Sequence, residues 1–234
     1  MAEKQKLVLV PGLVCDAAVW GHQATHLAEI ADIGVPAVTD GKTMAEMARI
    51  ALADAPPSFA LAGFSMGGYV ALEMLRQAPD RITRLALLDT SARGDSAKKA
   101  EWRRNVIATC ERGEYGAVIE GMMPVLLHAD RQSGALPAFV RAMADRVGGD
   151  VYLRRQYAIA TRQDSRDLLR AFARPVRAIC GRQDGMSTIE EHEEIAALAP
   201  RGRFSLIEDC GHMTILEQPQ AATTLLRDWL LYDA

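Results

Sequence analysis

Ser65 sits in Gly63-Phe64-Ser65-Met66-Gly67, with a glycine two residues away on each side. That spacing suits a hydroxyl nucleophile on a strand-to-helix turn so tight that only small neighbours let the chains pass. Such a turn lifts the hydroxyl to a helix N-terminus, where unpaired amides and the helix dipole favour developing negative charge. A serine hydroxyl is a weak nucleophile until a base takes its proton. Of five histidines, His212, in Glu208-Asp209-Cys210-Gly211-His212-Met213, is the best placed, because its loop follows a strand pattern. His22 and His26 fall in an expected surface helix and His192 on a charged helix face. His128 lies in a helical stretch and is the one of these four positioned to touch a substrate; otherwise a structural or solvated role is the simpler reading. An imidazole base needs an orienting carboxylate. Asp184, in Gly181-Arg182-Gln183-Asp184-Gly185, and Asp89 both follow strand patterns and compete for that role. Asp209 is too close to His212 in sequence to be the first choice.

The elements that must position these residues alternate. Leu7-Val8-Leu9-Val10, closed by Pro11-Gly12, reads as a strand buried on both faces. Ile33 to Val38 is a second, weaker strand, and Thr43-Met44-Ala45-Glu46 is a capping box opening a helix that Pro56-Pro57 stops. The strand Phe59 to Ala62 runs into the Ser65 turn, and a helix with Met66, Val70, Leu72, Met74 and Leu75 follows. Ile82 to Leu88 is a fourth strand. This order predicts a parallel sheet. From 92 to 173 no strand pattern is convincing. Helical periodicity takes over, with Leu136, Phe139, Val140, Met143 and Val147 as one apolar stripe. Strands at Val176 to Cys180 and Phe204 to Ile207, a capping box at Ser187-Thr188-Ile189-Glu190 and a last helix from Pro219 complete the chain. The expected fold class is α/β: a mostly parallel sheet of about six strands flanked by helices. Residues 1–91 and 174–234 form its core, and 92–173 an inserted all-helical segment.

The order Ser65, Asp184, His212, each after a different strand and with the serine on an elbow, resembles the α/β-hydrolase fold superfamily over nearly the whole chain. The resemblance favours Asp184 over Asp89 as the acid, because its strand-end Gly-x-x-Asp-Gly context matches better, although some members place the acid after the fourth strand. It implies an oxyanion hole of two main-chain amides. One belongs to Met66. The other comes from the loop Pro11-Gly12-Leu13-Val14-Cys15-Asp16-Ala17-Ala18-Val19-Trp20, similar to the family's His-Gly-x loop with a downstream Trp, and maps onto Leu13. Pro11 stands where the family usually has His. The segment 92–173 takes the place of the helical cap, and the N-terminal hairpin of longer members is expected to be missing. Candidates for the substrate pocket are Cys15, Trp20, Met122, Met123 and His128; packing serves Cys15 and Trp20 equally well, and cap core serves Met122 and Met123 better. The implied activity is that of a serine esterase on small, largely apolar carboxylic esters through an acyl-enzyme. The same fold also supports lactonases, carbon–carbon bond hydrolases and ligand-binding receptors that keep the triad. A lactonase for an acidic substrate would want a cationic residue facing Ser65, for which Arg141, Arg154, Arg155 and Arg162 are candidates. No metal or organic cofactor is implied.

Composition narrows the alternatives. A chain of 234 residues with 49% hydrophobic content makes one domain, or one domain carrying an insertion. The formal charge of −3 and the lack of like-charge blocks give no reason to expect a nucleic-acid or anionic-membrane partner. No apolar run reaches membrane-span length and no signal-peptide pattern opens the chain, so a cytoplasmic location is expected. Cys15, Cys110, Cys180 and Cys210 include no C-x-x-C pair and are expected as reduced, buried thiols. No pattern sets an oligomeric state.

Overall fold

The computed structural model describes residues 4–233. Strands β1 (Gln5–Val10), β2 (Ala31–Gly34), β3 (Phe59–Phe64), β4 (Ile82–Leu88), β5 (Val176–Gly181) and β6 (Gly202–Ile207) form one sheet in the order β2-β1-β3-β4-β5-β6. All neighbours pair in parallel. Every residue of β3 and β5 is buried, as are the last four of β1 and of β4, which explains their unbroken apolar runs. The register sets Val10 beside Gly63 and Phe64 beside Leu88. The carboxyl ends of the central strands therefore open at one edge, where ligands bind in open α/β sheets.

Between the strands run α1 (Gly21–Leu27), α2 (Met44–Asp54) and α3 (Met66–Gln77). Then α4 (Ala97–Glu111), α5 (Tyr115–Leu126), α6 (Ala135–Ala160) and α7 (Arg166–Ala171) fill the stretch between β4 and β5, which holds no strand among the described residues. Helices α4, α5 and α6 pack on one another. Gly148, at φ 73° and ψ 160°, kinks α6. Helices α8 (Ile189–Leu198), α9 (Thr214–Glu217) and α10 (Pro219–Leu231) complete the chain. Among the described residues no helix is long and apolar enough to cross a membrane.

Local details differ from the sequence reading for physical reasons. The second strand is Ala31–Gly34, not Ile33 to Val38. Pro36 has no N–H for a ladder, so the chain leaves the sheet edge before it. The third strand runs two residues further than expected, straight into Ser65. The second capping box lies one residue later, with Thr188 as N-cap and Glu191 answering it, because Ser187 is engaged elsewhere. In the α6 stripe, Val140 and Met143 are buried but Phe139 is 39% exposed.

Candidate active site

Ser65 alone makes the turn between β3 and α3. Its φ of 55° and ψ of −118° lie where a non-glycine residue is strained. The strain is held from both sides: Ser65 N–H donates to the Leu88 carbonyl at 2.9 Å, and the Thr90 hydroxyl donates to the Ser65 carbonyl at 2.8 Å. A Cβ on Gly63 would stand 2.3 Å from the Gly67 carbonyl oxygen, and one on Gly67 would stand 2.2 Å from that of Val10. The glycine spacing is thus a steric condition of the turn.

His212 follows β6 and is buried, with Nε2 2.8 Å from Ser65 Oγ. Its Nδ1 lies 2.9 Å from each oxygen of Asp184, on the loop after β5. Asp184 also accepts from the amides of Met186 and Ser187, at 2.7 and 3.0 Å, and from the Ser187 hydroxyl at 2.6 Å. Burial alone would raise its pKa. The His212 charge and hydrogen bond, helped by the Ser187 bonds, outweigh burial and hold the carboxyl below the usual carboxylate range. Against an ionised Asp184, Nδ1 carries a proton, and in the neutral ring Nε2 is the acceptor for the Ser65 hydroxyl. The His212 amide donates to the Leu126 carbonyl at the end of α5, which ties this loop to the inserted helices.

Asp89, the rival acid, is brought beside Asp184 and has no hydrogen bond to His212 among the described residues. It accepts from the Gly181 amide and the Thr214 hydroxyl. Burial first, then the negative charge of Asp184, raises its pKa well above the ordinary value and so favours the protonated carboxyl. Ligand atoms of Asp89, Cys180 and Asp184 lie within 4.8 Å of one another. The set suits a cation poorly. Burial raises the pKa of both the Asp89 carboxyl and the Cys180 thiol, which opposes the deprotonated forms a cation needs, and Asp184 is bonded to His212.

Met66 opens α3, so its N–H has no carbonyl one turn back. The Leu13 N–H likewise has no acceptor among the described residues. A Cβ built on Gly12 would meet Ser65 Cβ at 3.4 Å, so the Gly12–Leu13 peptide lies close to Ser65. Behind that loop stands Arg155 of α6, only 2% exposed. Its Nη1 donates to the carbonyls of Gly12, Leu13 and Cys15 at 3.3, 2.6 and 3.0 Å, and its Nε to that of Val38 at 3.2 Å.

A family profile described as the alpha/beta hydrolase fold matches residues 44–219. The chain belongs to the α/β-hydrolase fold family. It is 25% identical over 248 residues to the pimeloyl-acyl-carrier-protein methyl ester esterase of Aromatoleum aromaticum, covering 95% of this chain and 96% of that protein. The namesake enzyme of Aliivibrio salmonicida is 24% identical, with 97% and 93% covered. Among solved structures, a thermophilic esterase from Thermogutta terrifontis with malate bound is 31% identical. It superposes with a TM-score of 0.86 over 98% of this chain and 90% of that one. An enol-lactonase from Burkholderia xenovorans shares the fold at 22% identity and a TM-score of 0.87, over 98% of this chain and 92% of that one.

In this α/β hydrolase a cavity of about 450 Å³ opens at Ser65 and His212. Its walls include Tyr69 of α3, Trp102 and Arg103 of α4, Val125 of α5, and Met186. None of the five pocket candidates from the sequence lines it. Cys15 and Trp20 are buried, Trp20 edge-on to Phe64 at 6.4 Å. Met122 and Met123 are buried in α5, with the Tyr152 hydroxyl donating to the Met122 sulfur. His128 takes the Asp130 amide on Nδ1 and gives its own amide to Glu217. The four arginines considered as cationic cavity residues also point elsewhere. Arg141 pairs with Glu120, Arg154 binds the Thr39 carbonyl, Arg155 holds the Gly12, Leu13 and Cys15 carbonyls and Arg162 stacks on Tyr69. The cations at the wall are instead Lys98, Lys99 and Arg103, none of them among the sequence candidates. Their signal was the i, i+3, i+4 spacing of Lys99, Trp102 and Arg103 on one helix face. Of the other histidines, His22 and His26 stack on α1. His192 is buried, neutral because burial lowers its pKa, and accepts the Thr90 amide that follows Asp89.

Proposed function

We propose that this protein is a serine esterase for small, largely apolar carboxylic esters, with Ser65 as nucleophile, His212 as base and Asp184 as its orienting acid. The observation that carries the reading is the 2.8 Å contact between Ser65 Oγ and His212 Nε2, with Asp184 bonded to the far ring nitrogen. The methyl ester esterases and the thermophilic esterase among its relatives support the same class of bond.

In the first half-reaction Ser65 Oγ attacks the ester carbonyl carbon while its proton passes to His212 Nε2. The carbonyl oxygen becomes an oxyanion, held by the N–H groups of Leu13 and Met66. Collapse breaks the carbon–oxygen bond, His212 returns the proton to the leaving alcohol, and an acyl-Ser65 remains. Water then attacks the acyl carbon, giving a proton to His212, and collapse releases the acid and restores Ser65. Residues 1–91 and 174–234 supply these groups, and 92–173 act as a helical cap that shapes the cavity.

The test is turnover of a chain-length series of esters and lactones by the wild type and Ser65→Ala. Ester turnover that Ser65→Ala lacks is expected; equal activity of the two proteins overturns the assignment. Faster opening of lactones than of any ester moves the reading to a lactonase. Wild-type fluorophosphonate labelling without turnover of any ester moves it to a receptor.

A further inference from the structure

We propose that the cavity at Ser65 carries an anion subsite at the start of α4, and that its ester bears a carboxylate at the end remote from the scissile bond. This rests on the esterase reading and names the substrate class. Lys98, Lys99 and Arg103 all line the cavity. Their neutralisation is incomplete. Lys99 is matched by Glu191 at 2.9 Å. Arg103 shares the single carboxylate of Asp95 with Arg162, at 2.7 and 2.8 Å. Lys98 makes no ion pair among the described residues.

Arg162 strengthens the imbalance. Its side chain is 5% exposed, stacked 3.9 Å over the Tyr69 ring, and none of its nitrogens makes a directed hydrogen bond among the described residues. Tyr69 is itself a cavity wall. Of the two acids of the wall, Asp89 is shifted by burial toward its uncharged form, and ionised Asp184 is bonded to His212 at the Ser65 end of the cavity. Ser96, the N-cap of the fifteen-residue α4, also lines the cavity, so the positive end of the helix dipole adds to the potential. The remaining wall at Trp102, Val125 and Met186 is apolar. A short methylene chain between an ester at Ser65 and a carboxylate at Lys98 matches both. Half-esters of dicarboxylic acids have this pattern, and neutral esters of the same length lack one end of it.

The test compares kcat/KM for monomethyl glutarate and methyl pentanoate, equal in chain length and different in charge, each corrected for its hydroxide-catalysed rate. The wild type should prefer the anionic ester by about tenfold, the scale of one charge-assisted contact. That ratio should fall as NaCl is raised and collapse in Lys98→Glu, an exposed position where the fold tolerates the change. A wild-type ratio at or below one, or a ratio unmoved by Lys98→Glu, overturns the subsite. If neither ester nor any in the chain-length series turns over, the esterase reading fails by itself. The subsite is then judged by titration calorimetry with glutarate. Binding weakened about tenfold in Lys98→Glu sustains it, whereas no binding, or equal binding, removes it.

Discussion

The Arg155 guanidinium lies 2.6 Å from the Leu13 carbonyl oxygen and reaches the Gly12 carbonyl from the same nitrogen. In a trans peptide the C=O and N–H point in opposite directions. A cation holding the Gly12 oxygen therefore turns the Leu13 N–H the other way and polarises it for an anion. Arg155→Lys keeps the charge but loses the fork that spans several carbonyls. The expected result is a kcat lowered about 10²-fold, the scale of one oxyanion donor, with KM within about threefold. Arg155→Met should lose more activity and also melt lower, since buried carbonyls are left unpaired. Equal kcat in Arg155→Lys and the wild type would remove Arg155 from this role.

The two carboxylates after β4 and β5 should behave oppositely on substitution. Asp184→Asn takes away the acceptor that fixes the His212 tautomer and should lower kcat by about 10³ to 10⁴. Asp89→Asn keeps a hydrogen-bonding group of the same shape at a position that does not touch His212, so most activity should remain. Steady-state kinetics on one ester distinguishes them, and the reverse ranking transfers the role.

Asp89 also gives stability a pH slope. Its pKa in the fold is raised, so above the unfolded carboxylate value near 4 the native protein holds a proton that the unfolded chain has lost. Wild-type stability from this group then falls with rising pH, by about 1.4 kcal/mol per unit, until the folded pKa is passed. Asp89→Asn removes the slope. Urea melts at pH 5 and pH 8 should show the mutant gaining on the wild type at the higher pH; a constant difference would mean that Asp89 is ionised in the fold.

The thiols should be silent. All four cysteines are buried, and burial pushes Cys15 up to about 12 and raises Cys180 and Cys210 as well. A thiolate is the reactive species. Native protein should give no fast reaction with Ellman's reagent and keep its ester activity in iodoacetamide. Four thiols should appear on denaturation. Rapid loss of activity would place a thiol at the site.

Much of this arrangement is legible in the amino-acid sequence. The Ser65 turn leaves a mark because Gly63 and Gly67 are sterically required, and a strand reads as a strand when both its faces are buried, as β3 and β5 are. Edge strand β2 was misplaced because half-exposed residues carry little pattern and Pro36 ends pairing without ending the apolar run. The cavity walls were not legible. Helical periodicity shows which face is apolar but not what it faces, so buried Met122 and Met123 stood out while Lys98 and Arg103 did not. Arg155 was visible only as a cation. Its partners are main-chain carbonyls more than a hundred residues away, and backbone acceptors carry no sequence signature.

Activation of Ser65 by His212 is tested most directly by treating the intact protein with a fluorophosphonate and mapping the adduct by mass spectrometry. The expected result is one adduct, on the peptide containing Ser65, with none in Ser65→Ala and labelling slowed about 10³-fold in His212→Ala, the scale of general-base assistance. An unmodified Ser65 under conditions that label a control serine hydrolase, or equal rates in the wild type and His212→Ala, would contradict it.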